Sequence, residues 1–243
     1  MKQIVTIIPF ADEPHSLLRE YFLSKRAALL KLGSAHTFLF VDDRGYLNDP
    51  ARKHLFQTVF AGMQNVCCIA GRYENSVKGG AVYTGLMEAV RLFPGAIIGY
   101  TDVDDSLNLL FAYKKLRGNI PVNIAVRKNR AKKDRACSLL YMFFVKLLFP
   151  KLSPITDLQA GFKFFSAAFL ADYFSNHEIR DVGFSFDMDL ILYALEHEYP
   201  IRQFLAEWRE NEEYTSRTFK NTANAVYMVF KKRFTKNGPL YRF

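Results

Sequence analysis

Asp102 and Asp104 stand two residues apart, directly after the apolar run AIIGY at residues 96–100. Where a strand ends and the backbone leaves the pleat, carboxylates at that spacing can turn toward one cation. Such an all-oxygen set suits Mg²⁺ or Mn²⁺, which then bridges phosphate oxygens. The same spacing also serves as a turn capping a helix that starts near Ser106, and for the motif taken alone that simpler account is preferred. A second candidate is Lys78-Gly79-Gly80, preceded by Asn75. Glycines opening a helix let backbone N–H groups approach an anion, and the lysine adds charge. The spacing is neither a Walker loop nor a dinucleotide-binding fingerprint, and an ordinary helix start explains it equally well. A third is DLQAGFK at residues 157–163, a polar–glycine–aromatic turn between apolar runs that reads, on physics alone, as a hairpin. His15, His36, His54, His177 and His197 hold no metal-ligand spacing, and no serine sits in a nucleophile elbow. Trp208, within the charged run 207–213, belongs either to the core or to the rim of a ligand site.

These residues need elements to hold them. Residues 4–9 (IVTIIP), 37–41 (TFLFV), 65–69, 96–100 and 123–126 read as buried strands. Helical spacing runs over 16–32, ending at Gly33, and over 79–93, ending before Pro94-Gly95. Residues 136–149 are apolar almost all round, 187–197 have helical period, and 201–205 suit a short strand. Strands alternating with helices predict a single α/β domain: a mostly parallel sheet with helices on both faces. Ligands of such sheets bind beyond the carboxyl ends of the strands. Asp42-Asp43, Asp102, Asp104 and Arg127 all follow apolar strands, so they are expected on one rim.

Half of the 243 residues are hydrophobic and 15% are aromatic, enough for a large core and incompatible with a disordered or collagen-like chain. Cys67, Cys68 and Cys137 form neither a disulfide framework nor a zinc module, which suits a reducing, cytosolic setting. The opening residues turn acidic after a short apolar run, unlike a secretory signal. The longest apolar stretch, within 136–150, is interrupted by Lys146 and falls short of the roughly 20 residues a membrane span requires. The formal charge of +9 is uneven. Residues 127–135 (RKNRAKKDR) hold six bases and one acid, and residues 217–243 hold seven bases and no acid. Two basic zones on an otherwise mildly acidic body point to an anionic partner: a pyrophosphate substrate, an anionic membrane surface or nucleic acid. No recognition-helix or aromatic RNA-binding pattern supports the last of these, so nucleic acid is not expected.

In chain order, further matches accumulate. Residues 7–13 (IIPFADE) resemble a strand followed by a Pro-x-x-Asn-Glu turn, with Asp12 in place of asparagine. Val41-Asp42-Asp43 resembles a nucleotide-binding Val-Asp-Asp, and residues 75–85 (NSVKGGAVYTG) an Asn-x-Gly-Lys-Gly-x-Ala-Val-x-x-Gly element. Tyr100-Thr101-Asp102-Val103-Asp104 resembles a metal-binding aspartate motif, with Ser106 where a glutamine is usual. Arg127 and Arg135 take the places of two arginines before a long helix, and residues 157–163 resemble Asp-x-Gln-Cys-Gly-Phe-Lys. Residues 186–189 (FDMD), then Tyr199, Ile201, Trp208, Ser216 and Arg217, complete the pattern. Over roughly residues 4–217 the chain thus resembles the family-two inverting glycosyltransferases of the GT-A (Rossmann-like) fold, most closely the dolichol- or polyprenyl-phosphate sugar synthases.

That resemblance implies a GT-A catalytic domain over residues 1–217 and a basic amphipathic tail over 218–243. It implies a hexosyltransferase of cell-envelope glycan synthesis that uses a UDP- or GDP-linked sugar with Mg²⁺ or Mn²⁺. Pro9, Glu13, Asp42, Lys78, Asp102 and Asp104 would line the donor, and Asp102 and Asp104 would hold the metal. Arg127 and Arg135 would seat the phosphate of a polyprenyl-phosphate acceptor, which is already anionic and needs no strong base. Asp104, Arg127, Arg135 and Asp157 are accordingly the catalytic candidates. If the acceptor were instead a sugar hydroxyl of a glycan or soluble molecule, a base would be wanted, and Asp157 or Asp187 would supply it. A lipid acceptor also implies work at the inner face of the membrane. Residues 136–149 and the tail offer apolar and basic contacts for docking there.

Overall fold

Strands without polar alternation need cover on both faces. In the computed structural model, β1 (Ile4–Phe10), β2 (His36–Asp42) and β4 (Ile97–Thr101) are buried along nearly their whole length. The structure describes residues 2–11, 13–73, 78–104, 106–128, 132–179, 183, 186–209, 226, 227, 229 and 230, with the backbone alone for 132–135. The remaining strands are β3 (Val66–Ala70), β5 (Val122–Lys128), β6 (Phe162–Ser166) and β7 (Ile201–Glu207). They form one seven-stranded sheet in the order β3-β2-β1-β4-β6-β5-β7. Every pairing is parallel except those of β6, which runs against both β4 and β5.

Two helical layers cover the sheet. One face carries α1 (His15–Leu32), α2 (Pro50–Val59) and α4 (Leu109–Lys115), packed on Phe10, Phe38, Phe40 and Phe164. Within it, Phe22 meets Phe40 edge-on at 5.4 Å between centroids and Phe56 at 5.3 Å. Such aromatic pairs add about 0.5–1.5 kcal/mol each beyond area burial. The other face carries α3 (Lys78–Leu92), α5 (Lys132–Leu148), α6 (Ala167–Asn176) and α7 (Phe186–Glu196). Gly85 lets α3 lie flat on the sheet, since a Cβ there would stand 2.6 Å from the Ile7 side chain. Local signals start the shorter helices: Asp49 caps α2 through the Ala51 amide at 2.8 Å, and Ser166 caps α6 through the Phe169 amide at 3.2 Å.

The α/β layering, and the strands and helices expected from periodicity, are present. Among the described residues, two α-helices and one strand were not expected. α2 and α6 are short, and β6 emerges from residues 157–163, read above as a hairpin turn. That turn leads instead into a strand inserted in the middle of the sheet. Because β6 is antiparallel to β4, Phe162 pairs with Thr101 and Ser166 with Ile97. Residues 157–161 therefore arrive at the carboxyl end of β4. Of the expected tail, Val229 is buried in the core and the ring of Phe230 lies 6.0 Å from Phe144 of α5. The boundary at 217 falls outside the described residues.

Candidate active site

Asp102 and Asp104 leave the end of β4, and their surroundings come from their own loop and from three other segments. The Asp102 carboxylate, with the side chain 27% exposed, is ion-paired through Oδ1 with Lys78, the first residue of α3. Its other oxygen faces Gly161. A Cβ at that position would sit 1.9 Å from Oδ2, so only glycine permits the approach. Asp104 Oδ1 accepts from the Ser106 amide at 3.2 Å and hydroxyl at 2.6 Å. Its main-chain oxygen accepts from Lys25 Nζ at 2.7 Å. Burial first, and then the charge of Asp102, raises the Asp104 carboxyl above its ordinary value, with the Ser106 bonds and Lys25 opposing.

This donor set fits a small divalent cation. Among the described residues, Oδ2 of Asp102 and Oδ2 of Asp104 accept no hydrogen bond, and both are hard oxygen ligands. No group of three or more His, Cys, Asp or Glu gathers among the described residues. Mg²⁺ characteristically takes one or two carboxylates plus substrate phosphates and water, so two suffice. Ser106, which stands in glutamine's place, fixes Asp104 through its amide and hydroxyl.

Beside this pair lies a buried ion-pair layer. Arg127, at the end of β5, grips Asp157 in a bidentate pair, with both nitrogen–oxygen distances 2.8 Å and side chains 1% and 2% exposed. The Asp157 carboxylate also accepts from the amides of Arg127 (3.2 Å) and Gln159 (3.1 Å). Trp208 covers the guanidinium, its ring centroid 5.5 Å from Cζ. Gln203 of β7 ties down the same loop, accepting from the Thr156 amide at 2.7 Å and donating to the Pro154 oxygen at 2.9 Å. Lys163, wholly buried, donates to the oxygens of Leu158 and Ala160 (2.8 Å each) and to Asp187 (2.6 Å). Burial pulls its ammonium below the usual lysine value, and the Asp187 charge and bond oppose that shift. Tyr100 donates to Asp187 at 3.1 Å. Both carboxylates suggested as bases are thus paired with buried cations.

On the donor side, Asp42 turns its carboxylate onto its own loop, accepting from the amides of Tyr46 and Leu47 at 2.7 Å each. It shapes the turn that carries Tyr46, over whose ring the Arg52 guanidinium lies at 4.1 Å. Pro9 lies within β1 opposite Val41, and Glu13 accepts from the Ala11 amide at 2.8 Å. Asp12 and residues 74–77 lie outside the described residues, as does the side chain of Arg135, whose backbone belongs to the first turn of α5. Burial pushes the Cys68 thiol up to about 12, which removes it as a nucleophile near neutral pH. Sequence reading missed Lys25. A signal for it existed: it takes an apolar slot at helical spacing among Leu18, Tyr21, Phe22 and Leu29.

No protein-family model matches this sequence, and no curated protein sequence does. Solved structures do match. Glucosyl-3-phosphoglycerate synthase from Mycobacterium tuberculosis, in complex with Mn²⁺, UDP and glucosyl-3-phosphoglycerate, superposes with a TM-score of 0.65 at 14% identity, covering 96% of this chain and 80% of that one. The same enzyme with Mg²⁺ and UDP gives 0.64 at 14% identity, covering 96% and 79%. With Mn²⁺, UDP-glucose and phosphoglyceric acid it gives 0.61 at 14% identity, again covering 96% and 79%. The fold is GT-A. At this identity the likeness establishes architecture, and within it the acidic rim described above stands at the carboxyl ends of the strands.

Two outcomes follow from the geometry. Arg127→Ala takes the guanidinium away from the buried Asp157 carboxylate, so denaturant unfolding should show a loss of about 3–5 kcal/mol. A loss under about 1 kcal/mol would mean that the pair is not an anchor. The Asp104 carboxyl titrates higher folded than unfolded. Its contribution therefore favours the fold below the unfolded value and is lost as pH rises through the folded one. At neutral pH, Asp104→Asn without metal should melt at or roughly 2 °C above wild type, while calorimetric Mn²⁺ binding disappears. Melting well below wild type at pH 7 would contradict the assignment.

Proposed function

We propose that this chain is a nucleotide-sugar-dependent glycosyltransferase that uses Mg²⁺ or Mn²⁺ and transfers a hexose to the phosphate of a polyprenyl-phosphate acceptor. The observation that carries the reading is the Asp102/Asp104 pair against Gly161, at the strand-end rim of a GT-A sheet. A metal held there neutralises the charge developing on the leaving nucleotide. Asp102 and Asp104 hold it, Lys78 faces the diphosphate, and Asp42 shapes the loop that meets the nucleoside. Arg127 and Asp157 act as a rigid pair that keeps residues 157–161 against Asp102. Arg135, at the positive end of α5, receives the acceptor phosphate. A phosphate nucleophile needs no base, which agrees with Asp157 and Asp187 both being engaged in buried ion pairs.

The lipid nature of the acceptor draws support from α5. Leu139, Phe143 and Leu147, each 61% exposed, and Leu140 line one exposed stripe of that helix. The basic stretch 127–135 leads into it. No helix among the described residues is long and apolar enough to cross a membrane. Contact through the α5 stripe would be peripheral, on an anionic cytoplasmic surface. A soluble acceptor remains the second reading, favoured by the structural neighbour that holds phosphoglyceric acid.

Thermal melts against UDP- and GDP-linked sugars with Mn²⁺ test the donor. A true donor at 100 times its Kd should stabilise the protein by about 2.7 kcal/mol, and Asp104→Asn should abolish the shift. Absence of any shift across the panel would refute the transferase reading. Sedimentation with liposomes tests the acceptor side. Binding should require anionic lipid, weaken with salt, and fall about tenfold or more in a Leu139→Ser/Phe143→Ser double variant, since each buried apolar side chain is worth about 1.5–3 kcal/mol. No binding at low salt, together with transfer to phosphoglyceric acid or a free saccharide, would establish the soluble acceptor.

A further inference from the structure

The ammonium of Lys78 is paired with Oδ1 of Asp102, the carboxylate whose Oδ2 would hold a metal, so two cations draw on one carboxylate. We infer that Lys78 is an internal competitor for the cation site, released from Asp102 by the donor diphosphate, so that metal and nucleotide enter as a coupled pair. This inference rests on the reading of the site as a metal–diphosphate centre and deepens it. Three features support it.

The first is position. Lys78 opens α3, and its neighbours Gly79 and Gly80 are buried, so the helix fixes the lysine backbone while its side chain, 26% exposed, reaches over the rim. The second is charge. Asp102 and Asp104 set two carboxylates against two ammoniums, Lys78 on Asp102 and Lys25 beside Asp104. A divalent ion entering alone would leave an excess of positive charge around Asp102, whereas a diphosphate supplies negative oxygens both to the ion and to Lys78. The third is the surroundings of the ammonium. Lys78 Nζ and Lys163 Nζ each lie 5.6 Å from the centroid of the same Tyr100 ring. Lys163 is held by Asp187 and two main-chain oxygens, and the charge of Lys78 works against it. The two cations repel across one ring, and Lys163 is the one fixed by three bonds. Lys78 is the one whose head group can move toward solvent and an incoming anion.

A ligand that relieves a competitor in this way must couple to the second ligand reciprocally. Mn²⁺ binding to the full chain, followed by electron paramagnetic resonance with and without UDP or GDP, tests the inference. Wild type should bind Mn²⁺ weakly alone and about tenfold or more tightly with one of the nucleotides, within the usual range of coupling factors. Lys78→Met, which keeps the aliphatic stem and removes the competitor, should bind Mn²⁺ alone about tenfold more tightly than wild type. Its gain on adding nucleotide should shrink to about threefold or less. Lys78→Gln serves as the second variant should the methionine protein fail to fold, and it should behave likewise. Mn²⁺ affinity of either folded variant equal to or below wild type, with the nucleotide gain intact, overturns the competitor role and leaves the proposed function standing. Failure of wild type to bind Mn²⁺ even with nucleotide overturns both.

Discussion

The approach of Gly161 to Asp102 depends on one reversal of direction in the sheet. β6 runs against β4, so the start of β6 lies at the end of β4, and the loop before it presses on the carboxylate that leaves β4. A parallel strand in that place would deliver residues 157–161 to the opposite edge. The buried layer follows from the same fact. Asp157 is brought to Arg127 at the end of β5, and Lys163, one residue into β6, reaches back to the loop oxygens and across to Asp187. The rim is a joint between strands of opposite sense, filled with complementary charge.

Burying that many charges is costly, and each pair recovers the cost only through geometry. Arg127 meets Asp157 with two parallel bonds and additional amide donors, while Lys163 has three acceptors. Satisfied in this way, the layer is stiff, and stiffness is what a pair of ligand carboxylates requires of its support. The exception is informative. The Lys78–Asp102 pair is about a quarter exposed on both sides, so it is the interaction in the group that a ligand can rearrange at low cost.

Much of this was legible in the sequence. The strand-end aspartates, the lysine before two glycines and the loop at 157–163 were all visible as local patterns, and the alternation of strands and helices gave the layered sheet. What periodicity could not supply was pairing across distance. Arg127 and Asp157 lie 30 positions apart, and nothing local to either says that each is the other's partner. Charge clustering even misdirects: Arg127 opens a stretch of six bases that points to an anionic partner, yet its side chain is buried under Trp208 and paired with Asp157. β6 was missed because its apolar run FKFF carries a lysine at a core position, and a lysine there reads as an interruption until its three acceptors are seen.

The strand order also bears on how the molecule comes together. β5 precedes β6 in the chain, yet β6 lies between β4 and β5. While β6 is absent, β4 and β5 share no ladder, and each presents an unpaired edge to the other across a gap one strand wide. Closing that gap brings Gly161 to Asp102 and Asp157 to Arg127 in the same event. Completion of the sheet and completion of the acidic rim are therefore one step of assembly. A molecule that stalls before it, with its central gap open, carries no finished site.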